Sequence, residues 1–432
     1  MWELRPRLHG STWWLPGAAA AADWLRSRVP PGGRVVVRGT PSPAFAALIH
    51  GAWAAGVCVV PINRRLTASE AEPLIRRASA ALVLDDELPE FSGTSSGTEA
   101  PNVPEVDPAS LALLLFTSGT SGPPKAVRLS RRAVLAAVGA AVERLALTAD
   151  DRWCTCLPLD HIGGISVVLR TLVSGCTLGL HPRFDPDAVA ADLATATGVS
   201  LVPTMLHRLV ARRSRWPAGL RTLLIGGGPL DRQLAEDCRD LGVAPCQTYG
   251  LTECASQVCT LSPAEAADGL GTAGLPVRGM AVRLTADSTI QVRGAALMDG
   301  YEGEPSPFAA DGWFTTGDLG RFDHAGRLIV LGRRDEVLIS GGEHCAPHEI
   351  EAVLERHPGI REAGVYGVAD REWGMRVCAV LVAVGAPLSD AEVSAACAGL
   401  ADFKRPKSWR WAAALPRTAL GKLQRRRLSD PA

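Results

Sequence analysis

The chain has 432 residues and a mass of 45.5 kDa, is 47% hydrophobic and 21% charged, and balances 45 basic against 45 acidic residues. This composition excludes a disordered, collagen-like or coiled-coil architecture, and the zero net charge excludes the strongly basic balance of a dedicated nucleic-acid binder. The length suits two or three domains. Only four of the basic residues are lysine (Lys125, Lys404, Lys407 and Lys422), leaving 41 arginines. Positions that keep lysine in such a chain are candidates for a role that needs a point charge and not a planar fork.

The eleven cysteines are odd in number and contain no CxxC pair. They read as reduced, cytosolic thiols serving as small core residues, and no zinc spacing is present. The N-terminus has no basic head followed by an apolar run and a cleavage site, so a signal peptide is not expected. The most apolar stretch, 44–62, is broken by His50, Gly51 and Gly56 and predicts a helix feeding a buried strand, not a membrane span.

In chain order, 34–38 predicts a strand, 42–55 a helix, 57–61 a strand, 70–81 a helix and 82–84 a short strand. Residues 86–109 read as a surface loop. A continuous apolar strand follows at 111–116, then a glycine-rich loop over 117–125, then a helix capped by Ser130 and running to about Leu147. Alternation continues through 153–157, 165–173, 186–195, 199–202, 204–212, 222–225 and 230–241. The expected class is α/β, with parallel pairing in a large N-terminal domain of α/β sheets. Short strands and glycine-rich turns from about 249 to 331 predict a small β subdomain. A boundary is expected near 332–335, giving domains 1–334 and 335–432. The second is an α+β unit with helices at 348–356 and 389–400 and strands at 363–368 and 376–383.

Directly after the buried strand comes Thr117-Ser118-Gly119-Thr120-Ser121-Gly122-Pro-Pro-Lys125. Hydroxyl and glycine residues let backbone and side-chain donors approach phosphate oxygens unobstructed, and Lys125 adds a positive charge. The Walker A spacing is absent. Such a loop alone is equally compatible with a flexible surface segment, so its neighbours decide the reading. They are Tyr249-Gly250-Leu-Thr252-Glu253, Gly312-Trp-Phe-Thr-Thr-Gly-Asp318, Gly332-Arg333-Arg-Asp335, Ile339-Ser-Gly-Gly-Glu343, Pro347-His-Glu-Ile-Glu351 and Pro416-Arg-Thr-Ala-Leu-Gly-Lys422.

This set, in this order, resembles the adenylate-forming superfamily of acyl-CoA synthetases, luciferases and peptide-synthetase adenylation domains. The resemblance implies a large N-terminal domain, a mobile C-terminal lid, and ATP, Mg²⁺ and coenzyme A as co-substrates and cofactor. It implies that residues 117–122 and Lys125 hold phosphates, and that Gly228, Tyr249 and Gly250 bind the nucleotide, with Tyr249 offering a ring face for adenine. Thr252 contacts the α-phosphate, Glu253 ligates the metal, and Asp318 with Arg333 takes the ribose. Lys422 reaches the substrate carboxylate and the α-phosphate. Asp335 is the hinge about which 336–432 rotates between two half-reactions, and Gly341 and Gly342 line the thiol's path. Each residue alone also fits an ordinary structural place, such as a core tyrosine, a turn aspartate or a solvated tail lysine.

The acyl pocket is expected around His161, Thr204, Gly226, Gly227, Ser256 and Gln257, with His161 also a catalytic candidate. The run 249–263, the glycines at 226–228 and Pro158-Leu-Asp-His-Ile-Gly-Gly164 are similar to the o-succinylbenzoate–CoA ligases of the menaquinone pathway. Asp160 departs from the aromatic or bulky residue expected before His161, and Cys345-Ala346 from the usual bulkier pair. Arg170 and Arg208 are both candidates for the second carboxylate of that acid. The competing readings are a benzoate-type acyl-CoA ligase and an inactive nucleotide-binding module. The partners expected are small molecules, with no nucleic acid and no membrane span; homo-oligomerisation is left open.

Overall fold

The computed structural model describes residues 1–9, 12–85, 87–91, 107–117, 124–212, 215–334, 336, 338–340, 343–345, 347–371, 373–417 and 423–430. The chain divides into two compact units. The first comprises Met1–Arg283, Gln291–Thr315 and Phe322–Ile329, and the second Leu284–Ile290, Thr316–Arg321 and Val330–Ala432.

Among the described residues the first unit holds two large sheets, in keeping with the expected α/β N-terminal domain, and a two-stranded ribbon of Arg7–His9 and Thr12–Trp14. The five-stranded sheet runs in the order Leu82–Asp85, Arg34–Arg38, Cys58–Pro61, Leu111–Thr117 and Lys125–Ser130. Its first four strands are parallel; the three inner ones bury apolar residues on both faces, as parallel sheets demand, while Val83 on the edge strand is exposed. The last strand is antiparallel to Leu111–Thr117, with Thr117 opposite Lys125. The loop expected through Lys125 therefore ends at Lys125, where this strand begins. Apolar runs announce strands, but partners and sheet membership are long-range facts.

The eight-stranded sheet runs in the order Trp2–Leu4, Thr177–Leu180, Arg152–Thr155, Gly198–Leu201, Thr222–Ile225, Pro245–Leu251, Ser256–Thr260 and Leu275–Pro276. The small β subdomain expected from 249 onward thus begins later. Ser256–Thr260 folds back as a hairpin and extends this sheet. Only Met280–Leu284, Thr289–Gly294, Phe314–Phe322 and Leu328–Arg333 form the separate four-stranded sheet.

Local chemistry sets the helix ends. Ser42 caps Pro43–Ala55 by accepting from the Phe45 N–H, and Ser130 caps Arg131–Arg144. The helix predicted at 70–81 is found at Ala68–Ala78. Glu70 reaches back 2.8 Å to the Thr67 N–H, which moves the start two residues earlier, and Ser79 ends the helix at φ 47°.

The helix Pro43–Ala55 carries His50, which is fully buried. Its Nδ1 accepts the Leu15 N–H at 3.1 Å, and its Nε2 lies 3.1 Å from the Val168 carbonyl and from the Thr171 hydroxyl. The neutral Nε2–H tautomer fits these partners, since a proton on Nδ1 would face another donor. Burial lowers its pKa from 6.5 to about 4. Between those values only the unfolded chain takes up the proton, so stability falls with pH. The change from pH 7 to pH 5 is expected to cost about 2 kcal/mol through this group. Urea unfolding of the wild type and of His50→Gln at both pH values checks this. An equal loss in both proteins would remove His50 as the cause.

All eleven cysteines are free and buried, as their use as small core residues requires. Burial pushes the thiols of Cys58, Cys156 and Cys246 up to about 12, so they are inert as nucleophiles. Cys154, His181 and Asp192 bring three potential metal-ligating atoms together, and all three residues are buried. Asp192 is already held by Arg152 at 2.5 Å and by His181 at 2.9 Å. The carboxylate charge is balanced, so the trio ties three elements together as a hydrogen-bond network.

In the second unit, Glu343–Cys345, Leu338–Ser340, Gly374–Ala383 and Ile360–Asp370 form a sheet, and Ser408–Trp411 adds to Gly374–Ala383. The helices Pro347–Leu354 and Asp390–Ala396 pack Ile350, Leu354 and Val393 against Val365, Val377 and Leu381. Cys345 is buried in this core, so the departure from a bulkier residue there is a packing variation. Among the described residues, no helix is long and apolar enough to cross a membrane.

Candidate active site

Several expected residues of the first unit converge. Lys125 opens an edge strand whose other side is met by 298–302. Val127 bridges Tyr301, the Arg128 N–H bonds the Gly300 carbonyl at 3.0 Å, and the Glu302 N–H bonds the Ala126 carbonyl at 2.8 Å. Glu302 anchors this segment through Arg34 at 2.7 Å and Arg128 at 3.4 Å. The pairing places the Tyr301 ring under Lys125, with Nζ 4.6 Å from its centroid, and sets Glu304 3.0 Å from Nζ. The Tyr301 hydroxyl donates to Glu253 Oε1 at 2.9 Å. Burial and the carboxylates of Glu253 and Glu304 raise the phenol's pKa, so it remains a donor at neutral pH.

Glu253 sits on the single 3-10 turn Thr252–Cys254 after the strand Pro245–Leu251. Glycine is required at 250, because a Cβ there would lie 1.7 Å from the Ser256 carbonyl oxygen across the bulged hairpin. Tyr249 on the same strand is buried. The donor set suits a hard cation such as Mg²⁺, which takes oxygen ligands. Among the described residues, Glu253 Oε1 is engaged by Tyr301 and no hydrogen bond is made to Oε2.

The acyl-pocket candidates separate into two groups. Gly226, Gly227 and Gly228 follow the strand Thr222–Ile225. A Cβ on Gly226 would lie 2.9 Å from the Thr248 methyl, and Gly227 has φ +78°. Thr204 and Arg208 lie exposed on the helix Pro203–Val210. Elsewhere, Arg170, Ser166, Ser256 and Gln257 line one crevice with Ala137 and Ala141 that is packed too closely in this conformation to hold a water molecule. Arg170 and Gln257 are 3% and 2% exposed. The Arg170 Nε and Nη1 atoms and both amide atoms of Gln257 are buried without hydrogen-bond partners. Burial lowers the Arg170 pKa to about 10, far above neutrality, so the crevice holds a cation that faces the Trp153 ring at 5.8 Å but has no carboxylate partner among the described residues.

His161 precedes the helix Ile162–Ser174, which also carries Arg170. Its Nε2 lies 3.4 Å from Asp160 Oδ2, and neither atom makes a hydrogen bond. Burial lowers the imidazole's pKa, and the Asp160 charge opposes that shift. Asp160, the sequence's departure from an aromatic residue, therefore supplies a local negative charge instead of a hydrophobic wall.

In the second unit, Arg333 Nη1 lies 3.3 Å from Asp318 Oδ1. A Cβ on Gly317 would meet the guanidinium at 2.3 Å, so glycine lets Arg333 lie across that strand. Retained lysine is not by itself a catalytic marker. Lys404 pairs with Glu349 at 2.8 Å, and Lys407 with Asp402 at 3.0 Å. Ser118, Gly119, Thr120, Ser121, Gly122, Asp335, Gly341, Gly342 and Lys422 lie outside the described residues.

Sequence reasoning passed over Tyr301 and Glu304. One signal was available: the chain has only three tyrosines, and Tyr249 and Tyr301 are two of them.

The sequence model of the AMP-binding enzyme family matches residues 17–304, and that of the AMP-binding enzyme C-terminal domain matches 349–422. The 2-succinylbenzoate--CoA ligase of Bacillus licheniformis is 37% identical over 411 residues, covering 88% of this chain and 86% of the relative. The structure of o-succinylbenzoate CoA synthetase (MenE) from Bacillus subtilis with the acyl-adenylate intermediate OSB-AMP superposes with a TM-score of 0.87 at 32% identity, covering 96% and 92% of the two chains. The same enzyme with ATP and magnesium ion gives 0.86 at 31% identity, covering 99% and 97%. The ordered motifs, the Glu253 turn and these matches along nearly the whole length lead to one assignment: the chain belongs to the AMP-binding enzyme family.

Proposed function

We propose that this chain is an ATP-dependent acid–CoA ligase that converts o-succinylbenzoate to o-succinylbenzoyl-CoA through an acyl-adenylate, in menaquinone biosynthesis. The observation that carries the substrate is Arg170, buried beside Gln257 with Nε and Nη1 lacking hydrogen-bond partners and with only the Trp153 ring facing its charge. A substrate with an aromatic carboxylate far from its reacting carboxylate would supply the missing anion. The names of the relatives support the same acid.

In the first half-reaction an oxygen of the succinyl carboxylate attacks the α-phosphorus of ATP, and pyrophosphate leaves. In the second the CoA sulfur attacks the acyl carbonyl, its proton is lost, and AMP leaves. Bringing two anions together requires cations and donors around the developing charge. Mg²⁺ supplies part of that charge when bound, and Glu253 would hold it. Lys125 leaves Glu304 for the phosphates, exchanging one oxyanion for another. Thr252 and the 117–122 loop donate to phosphate oxygens, with Lys422 at the reacting carboxylate. Gly228, Tyr249 and Gly250 shape the adenine site, and Asp318 accepts from the ribose hydroxyls beside Arg333. His161 and Gly226–Gly228 border the aromatic ring. The 335–432 segment acts as the lid, turning at Asp335 between the half-reactions. The buried free thiols support a reducing compartment, and we place the reaction in the cytoplasm.

The test compares o-succinylbenzoate with 4-phenyl-4-oxobutyrate, which lacks only the aromatic carboxylate. The truncated acid is expected to show at least a tenfold lower kcat/KM, a loss of about 1.4 kcal/mol or more. Comparable rates, or faster turnover of benzoate, would move the enzyme to the benzoate-type ligases. Absence of ATP–pyrophosphate exchange with every acid would mark an inactive module.

A further inference from the structure

Resting on the reading of Glu253 as the metal-binding carboxylate, we propose that Tyr301 is a positioning residue for the divalent cation: its hydroxyl fixes Glu253 Oε1 so that Oε2 is presented to the metal, while its ring seats Lys125.

The geometry is built from both sides. Tyr301 belongs to a segment whose backbone is paired to the Lys125–Ser130 strand through Val127, Arg128 and Ala126. The same segment holds the Glu253 turn, because the Met298 N–H donates to the Glu253 carbonyl at 2.7 Å. Both the carboxylate's backbone and its Oε1 are therefore referenced to one short stretch of chain, 298–301. A free glutamate loses side-chain entropy when it closes on a cation. Here part of that loss is taken at folding, and the hydrogen bond also selects which oxygen remains for the metal.

The ring has a second effect. Lys125 lies over its face while pairing with Glu304, so the ammonium is held above the ring and the metal-binding carboxylate at its hydroxyl end. Entry of a triphosphate–metal pair then meets a cation and an anion already separated by a rigid spacer. Direct collapse of Lys125 onto Glu253 would cancel both charges, and the ring stands in its way.

The experiment uses the full chain, with Mn²⁺ as the probe and α,β-methylene-ATP as a nucleotide that cannot transfer its α-phosphorus. Free Mn²⁺ is read by electron paramagnetic resonance for the wild type, Tyr301→Phe, Glu253→Gln and the double variant. Tyr301→Phe keeps the ring over which Lys125 lies and removes only the hydroxyl. It is expected to weaken Mn²⁺ binding about tenfold, with metal-free nucleotide affinity and Tm nearly unchanged. Glu253→Gln is expected to weaken it at least as much, and the double variant to match Glu253→Gln within about twofold, since Tyr301 acts through Glu253. If Glu253→Gln loses Mn²⁺ while Tyr301→Phe stays within about twofold of the wild type, the positioning role of Tyr301 is overturned. Additive losses in the double variant also overturn it, by showing that Tyr301 acts elsewhere. If Glu253→Gln itself binds Mn²⁺ normally, the assignment of Glu253 fails first and takes this inference with it.

Discussion

Replacing Arg170 by methionine is expected to lower kcat/KM for o-succinylbenzoate about a hundredfold while leaving 4-phenyl-4-oxobutyrate within about threefold of the wild-type value. The reason is the state of the crevice without substrate. A guanidinium 3% exposed, with Nε and Nη1 lacking hydrogen-bond partners and only the Trp153 ring facing its charge, is desolvated and under-compensated. A carboxylate that parts the crevice would form charge-assisted hydrogen bonds where none existed. Removing one partner of such a contact costs roughly 2–3 kcal/mol, which is about a hundredfold. The truncated acid never makes the contact, so it has little to lose. Stability provides a second readout. Methionine fills a similar volume without a buried charge, so Arg170→Met is expected to raise Tm. Steady-state kinetics with both acids and a thermal melt test the argument together. A variant that loses both acids equally and melts lower would show Arg170 to be structural.

Lys422→Ala is expected to slow adenylation by a hundredfold or more, a loss of about 3 kcal/mol, while sparing CoA transfer to pre-formed acyl-AMP. A contact made to the α-phosphate and the incoming carboxylate gains strength as charge develops in the first transition state. Once the adenylate exists, the same lysine has no reacting group to hold. Pyrophosphate exchange measures the first step, and release of AMP from added acyl-AMP and CoA measures the second. Arginine is expected to recover little, because a planar fork does not replace a point charge placed between two oxyanions. Near wild-type exchange in Lys422→Ala would remove the lysine from the mechanism.

The sequence alone carried the family resemblance, the class of reaction and most of the local structure. The reason is that these signals are short. The Thr117–Lys125 loop, the Tyr249–Glu253 run, the cap at Ser130 and the apolar run from Leu111 each lie within a dozen residues. What sequence left open was every fact that depends on contact between distant segments. Arg170 and Arg208 look alike in the chain, and only folding buries the first in the crevice and leaves the second on the surface. Tyr301 carries no local mark of function, because its partner Glu253 lies 48 residues away and the two meet only through pairing with the edge strand. The order of strands within each sheet was equally hidden, since a run such as Val35–Val37 specifies a strand but not its neighbour. Periodicity and capping act through the nearest turns of backbone, whereas burial, charge compensation and side-chain convergence are set by the packing of the whole domain.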